Sequence, residues 1–178
     1  MPTISQLLDQ YKMNFPTRME ARVQELVSTG MIEMEARSHI RLKIAPGIQA
    51  EQIPTLDKGV LRPVSPQLLE RFAYAGSWLD LGEHMLDPVQ MKEVMNGQPF
   101  REWIAAMRDN REDSAPARYP DDRLSVLSVI SEDDGEYTLL VWPEDKSAEP
   151  RVYRYYSQQE QQFEDLADWL RWMNGMSF

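Results

Sequence analysis

Residues 124–142, LSVLSVISEDDGEYTLLVW, constrain this chain more than any other stretch. Leu124 to Ile130 is rich in Val, Ile and Leu. In the second run Tyr137, Leu139 and Val141 alternate with Thr138, Leu140 and Trp142, so both faces are largely apolar. A strand of that kind belongs in the middle of a sheet, covered by helices on at least one side. Asp134-Gly135 lies between the runs. Asp-Gly between two strand-like segments signals a hairpin, because both central positions of a type I′ turn need φ > 0. Glu132, Asp133, Asp134 and Glu136 then crowd a solvated tip. The competing reading is a calcium site. The EF-hand pattern is not met, since placing its glycine on Gly135 leaves the first ligand position without a carboxylate.

The flanking sequence supplies the helices. Residues 4–11 form a short helix candidate, and residues 16–28 a better one, with Met19, Val23, Leu26 and Val27 on one face and Gly30 as a stop. Residues 29–37 could add a turn or two. Ile40, Leu42 and Ile44 alternate with Arg41 and Lys43 as a short strand. Residues 46–65, with three prolines and two glycines, read as an irregular connection. Ser65-Pro66 and Asp87-Pro88 are both helix starts, with proline at the first helical position, where its missing N–H costs nothing. Residues 99–108 make a further helix with Phe100, Trp103, Ile104 and Met107 on one side, and residues 109–122 a loop. Residues 151–156 form a third strand. Ser157 and Glu160 match a capping box, which predicts a last helix from that point through Phe163, Leu166, Leu170 and Met173 to Gly175. The expected fold is α+β: a small antiparallel sheet packed by helices, with a helical N-terminal third. The 178 residues are expected to form one domain, residues 1–60 mostly helical and residues 61–178 α+β.

Charge narrows the function. The net charge is −10. From Glu132 onward there are eleven Asp and Glu against four Lys and Arg, so the C-terminal quarter holds most of the excess. That asymmetry can steer a basic partner, and it disfavours nucleic acid or an anionic membrane as a ligand. With no cysteine, disulfides and thiolate chemistry are excluded, which suits a reducing cytoplasm. The opening MPTISQLLDQYKMNF lacks the basic-then-apolar pattern of a signal peptide, and no apolar run is membrane-spanning in length. A cytoplasmic protein is expected. His39 and His84 are the two histidines, and each reads as a surface residue rather than a ligand.

One enzymatic reading needs weighing. Pro120-Asp121 followed by Glu144-x-Lys146 has the form of the PD…ExK nuclease signature, in which two carboxylates hold Mg²⁺ and the lysine positions water. That motif requires a strand, whereas Pro143 and Pro150 frame Glu144 as a loop residue. No metal, cofactor or catalytic residue is therefore expected, and a metal-dependent nuclease using Asp121, Glu144 and Lys146 stands as the alternative. The aromatics Tyr153, Tyr155 and Trp172, clustered near the C-terminus, are candidate interface anchors.

Four segments are read together: Ser77-Trp78-Leu79-Asp80-Leu81, SEDDGEYTLLVW, Pro150-Arg151-Val152-Tyr153-Arg154-Tyr155, and Phe163-Glu164-Asp165-Leu166-Ala167-Asp168-Trp169-Leu170. They resemble the SUKH superfamily, which includes a yeast cell-wall synthesis regulator and many bacterial immunity proteins. The resemblance covers residues 65–173 and is best after Leu124. It implies a non-enzymatic α+β domain that binds protein, in bacteria often an immunity protein neutralising a toxin. The expected contact face comprises Glu132, Asp133, Asp134, Glu136, Glu144, Asp145, Tyr153, Tyr155 and Trp172, offered to a basic toxin. A regulatory or scaffold domain of the same fold is the other alternative.

Overall fold

The computed structural model describes residues 2–145 and 148–175. Its strands are β1 (Lys43–Ile44), β2 (Gln52–Pro54), β3 (Leu61–Pro63), β4 (Trp78–Asp80), β5 (Glu83–Met85), β6 (Leu124–Ser131), β7 (Glu136–Val141), β8 (Arg151–Tyr156) and β9 (Gln159–Phe163). Its helices are α1 (Ile4–Ser28), α2 (Glu33–His39), α3 (Pro66–Tyr74), α4 (Pro88–Asn96), α5 (Gln98–Asn110), α6 (Ala115–Arg118) and α7 (Leu166–Gly175). Seven strands form one antiparallel sheet in the order β1-β4-β5-β6-β7-β8-β9, and β2 and β3 make a separate hairpin. This is the expected α+β fold, with a larger sheet than the sequence suggested. No helix among the described residues is long and apolar enough to cross a membrane.

β7 is central and covered on both faces. On one face Tyr137 packs edge-on against Phe100 of α5 at 4.9 Å, and Tyr155 packs against Trp103 at 5.1 Å. On the other, Arg154 lies beneath Trp172 of α7, and α7 packs against α1. Residues from the first sixty, among them Ile4, Leu8, Tyr11 and Ile53, share one apolar core with Leu139, Val152 and Trp169. A smaller cluster of Phe15, Val23, Ala36 and Ile40 closes the α1–α2 end.

Three local expectations need correction. Residues 4–28 are one helix, with Pro16 inside it. The proline removes a single hydrogen bond, at a cost of about 3 kcal/mol. The helix persists because its two halves are anchored in different clusters, Leu7, Leu8 and Tyr11 in one and Phe15 and Val23 in the other. The Asp134-Gly135 turn is not type I′: only Gly135 has positive φ (67°), and its N–H reaches the Glu132 carbonyl at 3.2 Å across a four-residue tip. The left-handed pair is instead at Ser157 and Gln158, with φ of 49° and 63°. That turn folds residues 159–163 back as strand β9 against β8, where a helix was expected. Glu160 therefore does not cap a helix: its carboxylate accepts the Tyr155 hydroxyl at 2.6 Å. Helix α7 starts later, where the Asp165 side chain accepts the Asp168 N–H at 2.8 Å.

Gly135 is the tightest point of the central hairpin. A Cβ there would stand 2.6 Å from Cδ1 of Trp103, a ring already packed on Tyr137 and Tyr155. With positive φ added, Gly135→Ala is expected to destabilise the fold by about 1–3 kcal/mol. Urea denaturation would show this as a lower midpoint at unchanged slope.

Candidate functional site: a polar cleft beside the acidic tip

The β4–β5 hairpin turns through Leu81 and Gly82, with φ of 48° and 96°. Leucine is unfavourable in that region. It is held there because its side chain packs on the small α1–α2 cluster. The turn places Asp80 and Glu83 opposite each other across the hairpin. Both are almost fully buried.

Each carboxylate meets an arginine from a distant element. Arg18 of α1 donates to Asp80 Oδ2 at 3.2 Å and to the Tyr11 carbonyl at 2.8 Å, with its guanidinium 3.5 Å above the Tyr11 ring. Arg154 of β8 faces Glu83 Oε2 at 3.6 Å. Glu83 Oε1 accepts the hydroxyls of Ser128 at 2.8 Å and Thr138 at 3.3 Å, so a polar row crosses β5, β6, β7 and β8. Burial pushes the Asp80 carboxyl above its ordinary range, against the opposing pull of the Tyr11 hydroxyl and Arg18. Burial also raises the Tyr11 hydroxyl. Among the described residues, Asp80 Oδ1, Arg18 Nε and Arg154 Nε have no hydrogen-bond partner.

Above this row lies a cleft of about 440 Å³. Its floor is Tyr11, Asp80, Glu83 and Arg154, and its rim includes Asp134, Glu136 and Tyr156. The structure thus joins part of the expected acidic face to a buried polar network that the sequence did not indicate. Glu132, Asp133 and Asp134 are exposed and Glu136 is half-buried. None of the four pairs with an arginine or lysine among the described residues. Two of them accept hydrogen bonds from neutral groups: Ser131 Oγ donates to Asp134 Oδ2 at 2.8 Å within the tip, and the Ser157 N–H of the β8–β9 turn donates to Glu136 Oε1 at 2.8 Å.

The other expected contact residues fall elsewhere. Tyr153 and Tyr155, expected at the contact face, are instead buried, at 1% and 3% exposure, and offer no surface to a partner. Strand alternation turns both toward α5 and α6, where the Tyr155 hydroxyl accepts the Ala115 N–H at 3.0 Å and Tyr153 packs on Tyr119. The exposed tyrosine is their neighbour Tyr156, on the opposite face and on the cleft rim. Trp172 is half-buried against Phe163, 5.2 Å between ring centres. Glu144 is exposed, 3.7 Å from Arg123, and Asp145 is exposed beside it.

The nuclease residues each have separate engagements. Asp121 begins a short 3₁₀ turn and is paired with Arg108, whereas Glu144 faces Arg123. Lys146 lies outside the described residues, as does the side chain of His39. Among the described residues, no group of three or more His, Asp and Glu side chains is placed to hold a metal ion. His84 is half-buried on β5, and burial, aided by Arg71, lowers its pKa. In comparison with known proteins, no family model, curated protein or solved structure matches the chain.

Removing one member of the Arg18–Asp80 pair strands the other in a dry environment, so Arg18→Ala or Asp80→Ala is expected to cost about 3–5 kcal/mol. The double replacement Arg18→Met/Asp80→Leu should recover most of that loss in chemical denaturation. The folded state binds a proton at His84 less readily than the unfolded chain does. Stability is therefore lost as pH falls below about 6.5 and through the lower folded-state pKa of His84. His84→Gln should flatten the pH dependence of the melting temperature in that window.

Proposed function

We propose that this protein is a non-enzymatic protein-binding domain of the SUKH type, a bacterial immunity protein that neutralises a basic toxin in the cytoplasm. The observation that carries this reading is the unneutralised carboxylate edge of the β6–β7 hairpin. Glu132, Asp133 and Asp134 project into solvent without cationic partners among the described residues. A cluster of like charges at an exposed tip repels itself and, apart from the Ser131–Asp134 bond, adds little to folding. It does attract and orient a positively charged surface, and an inhibitor of that charge competes for the cleft in which a toxin would hold nucleic acid. Tyr156, 49% exposed at the adjoining rim, supplies an aromatic anchor of the kind that dominates interface energetics. The segments that resemble the SUKH superfamily include this same hairpin.

The test is an affinity capture from lysate of the native cell with the full chain as bait. A basic partner should be retained at 0.15 M salt and released near 1 M, where the screening length falls from about 8 to about 3 Å. The double variant Glu132→Lys/Asp133→Lys, which leaves the Ser131–Asp134 bond in place, should fail to capture it while melting at the temperature of the parent. Retention by the variant, or capture indifferent to salt, would defeat the acidic-edge reading. A toxin gene beside the gene for this chain supports the immunity role, and a solitary locus favours a regulatory domain.

A further inference from the structure

A second cavity, of about 340 Å³, lies between the β2–β3 hairpin and the α4–α5 corner and shares no lining residue with the acidic cleft. Its charge is the reverse of the molecule's. The chain carries 29 acidic residues and 19 Lys and Arg, yet among the described residues three cations, Lys58, Lys92 and Arg101, line this cavity and no carboxylate does. None of the three forms an ion pair among the described residues. Elsewhere Arg37, Arg62, Arg108 and Arg151 each have a carboxylate within 3.3 Å. Grouping unneutralised cations around one hollow raises their mutual repulsion, which an anion would relieve.

The hollow is also built and apolar. Leu56 and Met95 are buried in its wall, and Leu61 is half exposed at its edge. Its walls are fixed by hydrogen bonds. The Leu56 N–H donates to the Leu124 carbonyl at 2.8 Å, tying the hairpin loop to β6. Thr55 Oγ1 donates to the Val60 carbonyl at 2.9 Å, closing the turn that carries Lys58, and Gly59 takes φ of 87° to complete it. Arg101 is steadied from α4 by a bond to Asn96 Oδ1 at 3.3 Å. A preformed apolar hollow of a few hundred Å³ with a few convergent polar groups is the usual form of a small-molecule site.

We infer that this pocket binds a small organic anion, with a carboxylate, sulfonate or phosphate head held among Lys58, Lys92 and Arg101 and an apolar body against Leu56, Leu61 and Met95. The pocket and the acidic cleft have no lining residue in common.

The probe is 8-anilinonaphthalene-1-sulfonate, an anion on an aromatic body, titrated into the full chain and followed by its fluorescence and by ¹³C-methyl NMR of the methionines. The expected result is one saturable site whose occupancy shifts the Met95 methyl and leaves that of Met19, in the α1–α2 cluster, in place. The exposed-residue variant Lys92→Glu/Arg101→Glu should weaken binding at least tenfold, while Lys12→Glu/Lys43→Glu, with the same change in net charge, should not. N-phenyl-1-naphthylamine, which has the aromatic body without the sulfonate, should bind at least tenfold more weakly. Equal affinity of the Lys92→Glu/Arg101→Glu variant, equal binding of the neutral probe, or a shift at Met19 in place of Met95 would overturn the assignment.

Discussion

The buried arginine–carboxylate pairs hold the rest of the arrangement in place. Arg18 ties α1 to β4 through Asp80, across 62 positions of sequence. Arg154 and Glu83 tie β8 to β5 across two intervening strands, with Ser128 and Thr138 filling the gap by hydrogen bonds. Together they fix the helical N-terminal region, the β4–β5 hairpin and the sheet centre in one relative position. Ion pairs of this kind add little net stability, because desolvation offsets most of the attraction. Their effect is specific: any other packing of α1 on the sheet leaves a buried charge unmatched. The unpartnered Asp80 Oδ1 and Arg154 Nε at the cleft floor show that the network is incompletely satisfied from within.

This frame sets out the surface charge. The polar row ends beneath the β6–β7 tip, so the exposed carboxylates stand on a rigid hairpin and not on a loose loop. Gly135 closes against Trp103, which packs in turn on Tyr137 and Tyr155. An edge held by such packing would lose little conformational entropy on binding. The cationic hollow, by contrast, is built from the β2–β3 loop and the α4–α5 corner. The chain therefore carries an acidic tip and a cationic hollow on separate elements.

The fold class was legible because its strongest signals are local. The apolar runs of β6 and β7, and the Ser65-Pro66 and Asp87-Pro88 helix starts, each need only a few adjacent residues, and each appears as expected. The failures share a different cause. Strand β9, sequence QEQQF, has no intrinsic preference for a strand and exists because β8 offers an open edge to pair with. The Ser157-Gln158 and Leu81-Gly82 turns lack the usual Asn-Gly or Asp-Gly chemistry, and tertiary contacts hold them. The acidic tip was visible as Glu132-Asp133-Asp134, but its neighbours Tyr11, Asp80, Glu83 and Arg154 come from four elements, and no spacing in the sequence links them. In the sequence Tyr153 and Tyr155 stand out as an aromatic cluster, but nothing local shows which face of the strand is covered. Two residues apart on a strand, they share a face, and that face is the one α5 covers.

Amide hydrogen exchange on the chain alone and in complex with its captured partner addresses the acidic edge most directly. The account predicts added protection at residues 131–136 and at the Tyr156–Gln158 turn on the same side of the molecule, with the outer face of α5 unchanged. Protection confined to α5 and α6, with the β6–β7 tip exchanging as in the free protein, would contradict it.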